Sequence, residues 1–187
     1  MEPRTERSEF AERYQSAYAR LWLVAAGMIG DRTEADDIVQ EAAIIAFRKR
    51  DQFRPGSNFT AWMTEIVRHC AANHKRKSDG RRTFATDPRS LDQESSPPPA
   101  GGSVDTCRGL PALGDELDDD MIRVLNQLSP DARCCLLLRV VDGMSYAEIA
   151  RILCIPEGTA MSHVYRSKQF MRRQLRTNRP REKQVDE

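Results

Sequence analysis

At 187 residues the chain can form one domain or two small ones, and its 40 % hydrophobic share fills small cores while 30 % charged residues leave a heavily solvated surface. The formal net charge of +1 conceals a pattern: residues 1–78 carry 13 basic and 11 acidic side chains, residues 79–120 carry 4 and 10, and residues 121–187 carry 12 and 7. Local charge sets phosphate affinity, so two basic ends around an acidic middle do not exclude a nucleic-acid partner. No apolar run is long enough to span a bilayer, and MEPRTERSEF has no signal-peptide core. Five cysteines without a CxxC pair read as reduced core thiols, so the expectation is a soluble cytoplasmic protein with no membrane span and no disulfide framework.

Ser8 to Ile29 reads as a first helix, with Phe10, Tyr14, Ala17, Leu21, Val24 and Met28 at three- and four-residue steps and Gly30 as its stop. Asp31 or Thr33 can cap a second helix running to Arg50, acidic at its start and basic at its end, as the macrodipole favours. Arg50–Phe59 is a loop turning at Pro55-Gly56, with Ser57 or Asn58 capping a third helix from about Phe59 to Lys77. That helix buries Trp62, Ile66, Val67 and Cys70 and then turns basic through Arg68, His74, Lys75 and Arg76. Phe53, Phe59 and Trp62 lie among Arg50, Arg54 and Arg68. Rings interleaved with cations suit a single-stranded nucleic acid, whose bases stack while its phosphates pair; core packing is the plainer reading for Trp62.

Periodicity disappears from Ser78 to Gly114, where SSPPPAGGS and an acidic surrounding read as a flexible linker. Order returns with the apolar stripe Met121, Val124, Leu125 and Leu128, then Ser129-Pro130 opens a helix that ends at Asp142-Gly143. In GMSYAEIARILCIPEGTAMSHVYRSKQFMRR, Ser145 and Glu148 form a capping box, Ile149, Ile152 and Leu153 share one face, and Pro156 is placed to open the next helix. Ala160, Val164 and Met171 can face inward there, leaving a basic exposed face. Two short helices, a tight turn and a basic second helix describe a helix-turn-helix.

DRTEADDIVQEAAIIAFRKRDQFRPGSNFTAWMTEIVRHCAANHKRK resembles the second region of sigma-70-type initiation factors, and LNQLSPDARCCLLLRVVDGMSYAEIARILCIPEGTAMSHVYRSKQFMRRQL resembles their fourth. With only these two regions and a linker, the chain resembles an extracytoplasmic-function (group 4) sigma factor. The resemblance implies an all-α chain: region 2 over residues 1–78, an acidic linker over 79–119, region 4 over 120–177 and a charged tail over 178–187.

It further implies that Asp36, Asp37, Gln40, Glu41 and Ile44 dock on core RNA polymerase, whose β and β′ subunits are the expected partners. Gln52, Phe53, Asn58 and Phe59 would capture a flipped base of the −10 element, with Trp62 also on −10 DNA, while Arg68, His74, Lys75 and Arg76 hold the opened strand's phosphates. Thr159, Ser162, His163 and Arg166 would meet the duplex −35 element at phosphates or base edges, with Lys168 and Arg172 on its backbone. An anti-sigma factor is a further expected partner, and no cofactor, metal or catalysis is implied. Cys154 stands where the family commonly has glycine, and Met161 and His163 where it often has basic residues.

Two rivals frame the test. A helix-turn-helix regulator explains residues 120–176 but leaves the DDIVQE helix without a role. A metalloenzyme has only His69, Cys70 and His74 as local ligands, and His69 and His74 lie about 140° apart around a helix.

Overall fold

A computed structural model describes the backbone of residues 3–84 and 119–178 and the side chains of residues 7–78 and 120–176. The acidic linker beyond Phe84, the charged tail beyond Asn178 and Cys107 lie outside the described residues. Among the described residues the chain is all-α, without strands, and no helix is long and apolar enough to cross a membrane.

Helix α1 spans Pro3–Ile29, α2 Arg32–Arg48 and α3 Phe59–Phe84, with a 3-10 turn at Arg50–Gln52 before α3. Asp31 caps α2, its carboxylate accepting from the N–H groups of Thr33 and Glu34, and Asn58 caps α3 by accepting from the Ala61 N–H at 3.0 Å. The apolar spacing predicts α2 as far as Arg50, but its last helical residue is Arg48 and the chain tightens into the 3-10 turn. Nor does α3 end at Lys77. Lys-Ser-Asp-Gly contains no proline, and one glycine inside a helix is only mildly unfavourable, so the helix continues to Phe84. These three helices pack around Leu21, Val24, Ile38, Val39, Met63 and Val67, all fully buried.

The second half is α4 (Asp119–Leu125), α5 (Pro130–Val140), α6 (Tyr146–Leu153) and α7 (Glu157–Asn178). Pro130 takes the first turn of α5 as expected, although the Ser129 side chain makes no cap bond. Both halves of the Ser145–Glu148 capping box form, and these hydrogen bonds hold the Glu148 carboxyl below its ordinary pKa. Pro156 sits just before α7 rather than inside its first turn, and its carbonyl accepts from the N–H groups of Thr159 and Ala160. Ser167, which the apolar pattern of α7 does not mark, is buried beside Ala160 and Val164.

The halves share one core. Helix α5 lies against α1, and Gly27 is what permits it: a Cβ there would stand 2.6 Å from the Cys134 Sγ and 3.0 Å from its backbone. The buried Arg133 donates from Nε to the Gly27 carbonyl at 2.6 Å and from Nη1 to Asn126 Oδ1 at 2.8 Å. Asn126 in turn donates to the Gly30 carbonyl at 2.9 Å. Side chains of the second half thus satisfy carbonyls left open where α1 ends at Gly30, whose φ of +82° suits a residue without a Cβ. Arg20–Asp142 at 2.9 Å adds an ion pair across the same joint.

Three of the four described cysteines fit the expectation of core thiols. Cys70, Cys134 and Cys135 are buried, and burial pushes the last two up to about 12, so they remain protonated and unreactive at neutral pH. Cys154 departs from it by being exposed, at the C-terminal end of α6 with φ 53° and ψ 44°. The turn keeps the left-handed geometry that glycine suits.

Candidate nucleic-acid interface

On α2, Asp37, Gln40, Glu41 and Ile44 fall at helical steps along one exposed stripe, with Ile44 55 % exposed. Asp36 sits off this stripe, half-buried, and accepts a 2.8 Å hydrogen bond from the Tyr18 hydroxyl. Burial, helped by the Asp36 charge, pushes the neighbouring Tyr14 phenol up to about 12.

In the same bundle, Phe53, Phe59 and Trp62 form a tight aromatic cluster. Phe53 lies 5.5 Å from Phe59 and 5.3 Å from Trp62, and Phe59 lies 5.8 Å from Trp62. Trp62, expected in the core, is half-buried instead. Together these rings wall an open cavity of about 410 Å³, large enough for a nucleobase. Gln52, exposed in the 3-10 turn, and Asn58, whose amide oxygen is committed to its cap, do not line the cavity. Phe10, marked as core by its spacing, lines the cavity too. So do Glu9 and Arg13 of α1, which the sequence reading passed over. They are near the loop only through the α1–α3 contact, and no local motif announces them.

Of the four cationic residues expected along the captured strand, Lys75 is exposed and Arg76 bonds its neighbour Asn73 at 2.5 Å. His74 approaches Glu34 at 3.6 Å. Arg68 points to the opposite domain. It donates to the Leu153 carbonyl at 3.0 Å and pairs with Asp131 at 3.3 Å, so in this conformation it ties α3 to the helix-turn-helix.

On α7, Ser162 and Arg166 are exposed and Thr159 and His163 half-exposed along one flank. Lys168 follows Thr159, and Arg172 follows His163, by nine residues, which is about 180° around the helix. The six residues therefore form two flanks. Lys168 and Arg172 border an apolar groove lined by Met121, Leu136, Val140 and Met171, a feature the sequence reading missed because its lining comes from three helices. Tyr165, 64 % exposed on α7, is a second omission, signalled only by an aromatic among polar residues.

The Sigma-70 region 2 family model matches residues 13–81, and the Sigma-70 region 4 model matches residues 118–171. The chain is 33 % identical over 138 residues to the ECF RNA polymerase sigma-E factor of Escherichia coli (strain K12), covering 73 % of this chain and 71 % of the relative. It is 31 % identical over 147 residues to the RNA polymerase sigma-H factor of Pseudomonas aeruginosa, with 79 % and 76 % covered. Among solved structures it resembles the sigma factor RpoE from Bartonella quintana in complex with the anti-sigma factor NepR. That match has a TM-score of 0.61 and 27 % identity over 91 % of this chain and 99 % of the other. CnrH, solved with the cytosolic domain of CnrY, shares the fold at 17 % identity and a TM-score of 0.58. Both matched regions, in this order and on this all-α frame, place the chain in the extracytoplasmic-function group of the sigma-70 family, the sigma factors of RNA polymerase.

Proposed function

We propose that this sigma factor acts in the cytoplasm as a two-point promoter reader. In this reading the stripe Asp37, Gln40, Glu41 and Ile44 docks on core polymerase, the aromatic cavity of region 2 receives a flipped −10 base, and the Thr159–Arg166 flank of α7 enters the −35 duplex. The observation that carries it is the cavity, because a space large enough for a base, walled by Phe10, Phe53, Phe59 and Trp62 and set beside a basic helix, suits an unstacked base. Run-off transcription with reconstituted holoenzyme tests it. Initiation from a defined −35/−10 pair is expected, and failure on every such pair overturns it. A free regulator would neither bind core stoichiometrically nor direct a start site.

We infer further that the closed joint between the regions is the form not engaged on a promoter. The two elements lie about 25 base pairs apart by name, on the order of 80 Å of duplex. A compact chain of this length is about 40 Å across. Arg68, expected on the −10 strand, is bonded to the turn of the −35 reader, so using it on DNA means releasing Leu153 and Asp131. An anti-sigma factor, the kind of partner seen with the Bartonella relative, would act by stabilising the closed form. Paired spin labels on Arg54→Cys and Arg173→Cys, in a chain whose Cys107 and exposed Cys154 are both replaced by Ser, read this directly. A separation that lengthens on binding core and promoter is expected, and one unchanged from the free chain refutes it.

A further inference from the structure

We propose that Glu9 and Arg13, one turn apart on α1, read the hydrogen-bonding edge of the base held in the aromatic cavity and so set its identity. The inference rests on the cavity's role as a base receptor.

The aromatic rings cannot choose among bases, because every base presents a π face and stacking tolerates all of them. Discrimination needs donors and acceptors at the edge. Both Glu9 and Arg13 line the cavity, and the Arg13 guanidinium carbon stands 5.7 Å from the centre of the Phe53 ring. Arg13 Nη2 is 3.3 Å from Glu9 Oε2, which sets a donor fork beside an acceptor pair at the rim. Base edges alternate N–H donors with nitrogen or carbonyl acceptors, and a guanidinium next to a carboxylate is complementary to that alternation. The pair contributes little to the fold. Its side chains are 49 % and 57 % exposed, and an exposed ion pair of this kind is worth very little in water. Asp51 and Arg50 also line the cavity, but Arg50 is turned toward Phe47: its guanidinium lies over that ring at 5.1 Å and it donates to the Phe47 carbonyl at 3.2 Å.

The test uses reconstituted holoenzyme and fork-junction −10 probes carrying each of the four bases at each position in turn. In the native chain one position shows a strong preference. Glu9→Gln and Arg13→Ala are expected to shrink the ratio of best to worst base there by about 10- to 100-fold, leaving other positions and thermal stability unchanged. Arg13→Lys keeps the charge but not the fork, and is expected to keep average affinity while losing the ratio. If Arg13 served only a phosphate, Arg13→Lys would behave as the native chain and Arg13→Ala would weaken all four bases alike; that result overturns the proposal. Phe53→Ala separates the two levels. Equal weakening for every base upholds the cavity whatever the rim does, while no effect on any base sinks the cavity reading itself.

Discussion

In the proposed reading, region 2 would present its nucleic-acid site as a cavity, and region 4 its own as an outward helix face. Phe53, Phe59 and Trp62 are half-buried and pack on one another, so the atoms that hold the bundle are those that would receive the base. Ser162 and Arg166 project from α7 while Ala160, Val164 and Ser167 anchor it from the opposite side. The difference follows from the ligand. A flipped base must be taken out of water and needs walls, whereas a duplex groove brings its own walls and needs a projecting helix. Stability and recognition are therefore coupled in region 2 and separable in region 4.

The largest effect that would break this contrast is at Trp62. Trp62→Ala is expected to cost up to about 3 kcal/mol of strand capture, measured with single-stranded −10 probes. It should also lower fold stability by about 2 kcal/mol, read by urea denaturation. Loss of one without the other would show that the site and the bundle are independent. Next comes Arg133→Ala, which leaves the Gly27 carbonyl without its donor and should cost about 2 kcal/mol, with the unfolding of the two halves becoming two transitions in calorimetry. A single unchanged transition would mean that the joint does not couple them. Arg166→Ala is expected to weaken −35 duplex binding by about 1 kcal/mol and to flatten its salt dependence by one phosphate contact, with the melting temperature unchanged. A drop in melting temperature would erase the separability claimed for region 4. The smallest change runs the other way. Cys154→Gly relieves a Cβ at φ 53° and should stabilise the chain by up to about 1 kcal/mol in the same denaturation assay, leaving −35 recognition intact.

What could be read ahead of the structure divides along the same line. The helix-turn-helix was legible because its determinants are local: Ser145 and Glu148 are three apart, and the apolar face of α6 repeats within eight residues. The outward stripe of α2 was legible for the same reason. Glu9 and Arg13 were not, since their place at the cavity depends on α1 lying beside the loop that carries Phe53, forty residues after Arg13. Trp62 was assigned inward because an indole at a helical step is usually core, and only the cavity shows one side of it open. Arg68 could be recognised as a cation but not as a tie, because Leu153 and Asp131 reach it from the other half of the chain.

The joint at Gly27 and Arg133 also bears on how a set of target genes would be controlled. If only the separated form binds promoters, every apparent dissociation constant is multiplied by the reciprocal of the fraction that is open. That factor is common to all promoters. Strengthening the joint would turn the whole set down together and preserve the order in which its members respond, whereas the cavity rim and the α7 flank decide that order. Volume and selectivity would then reside in different residues of one small chain, so selection could adjust either while leaving the other in place.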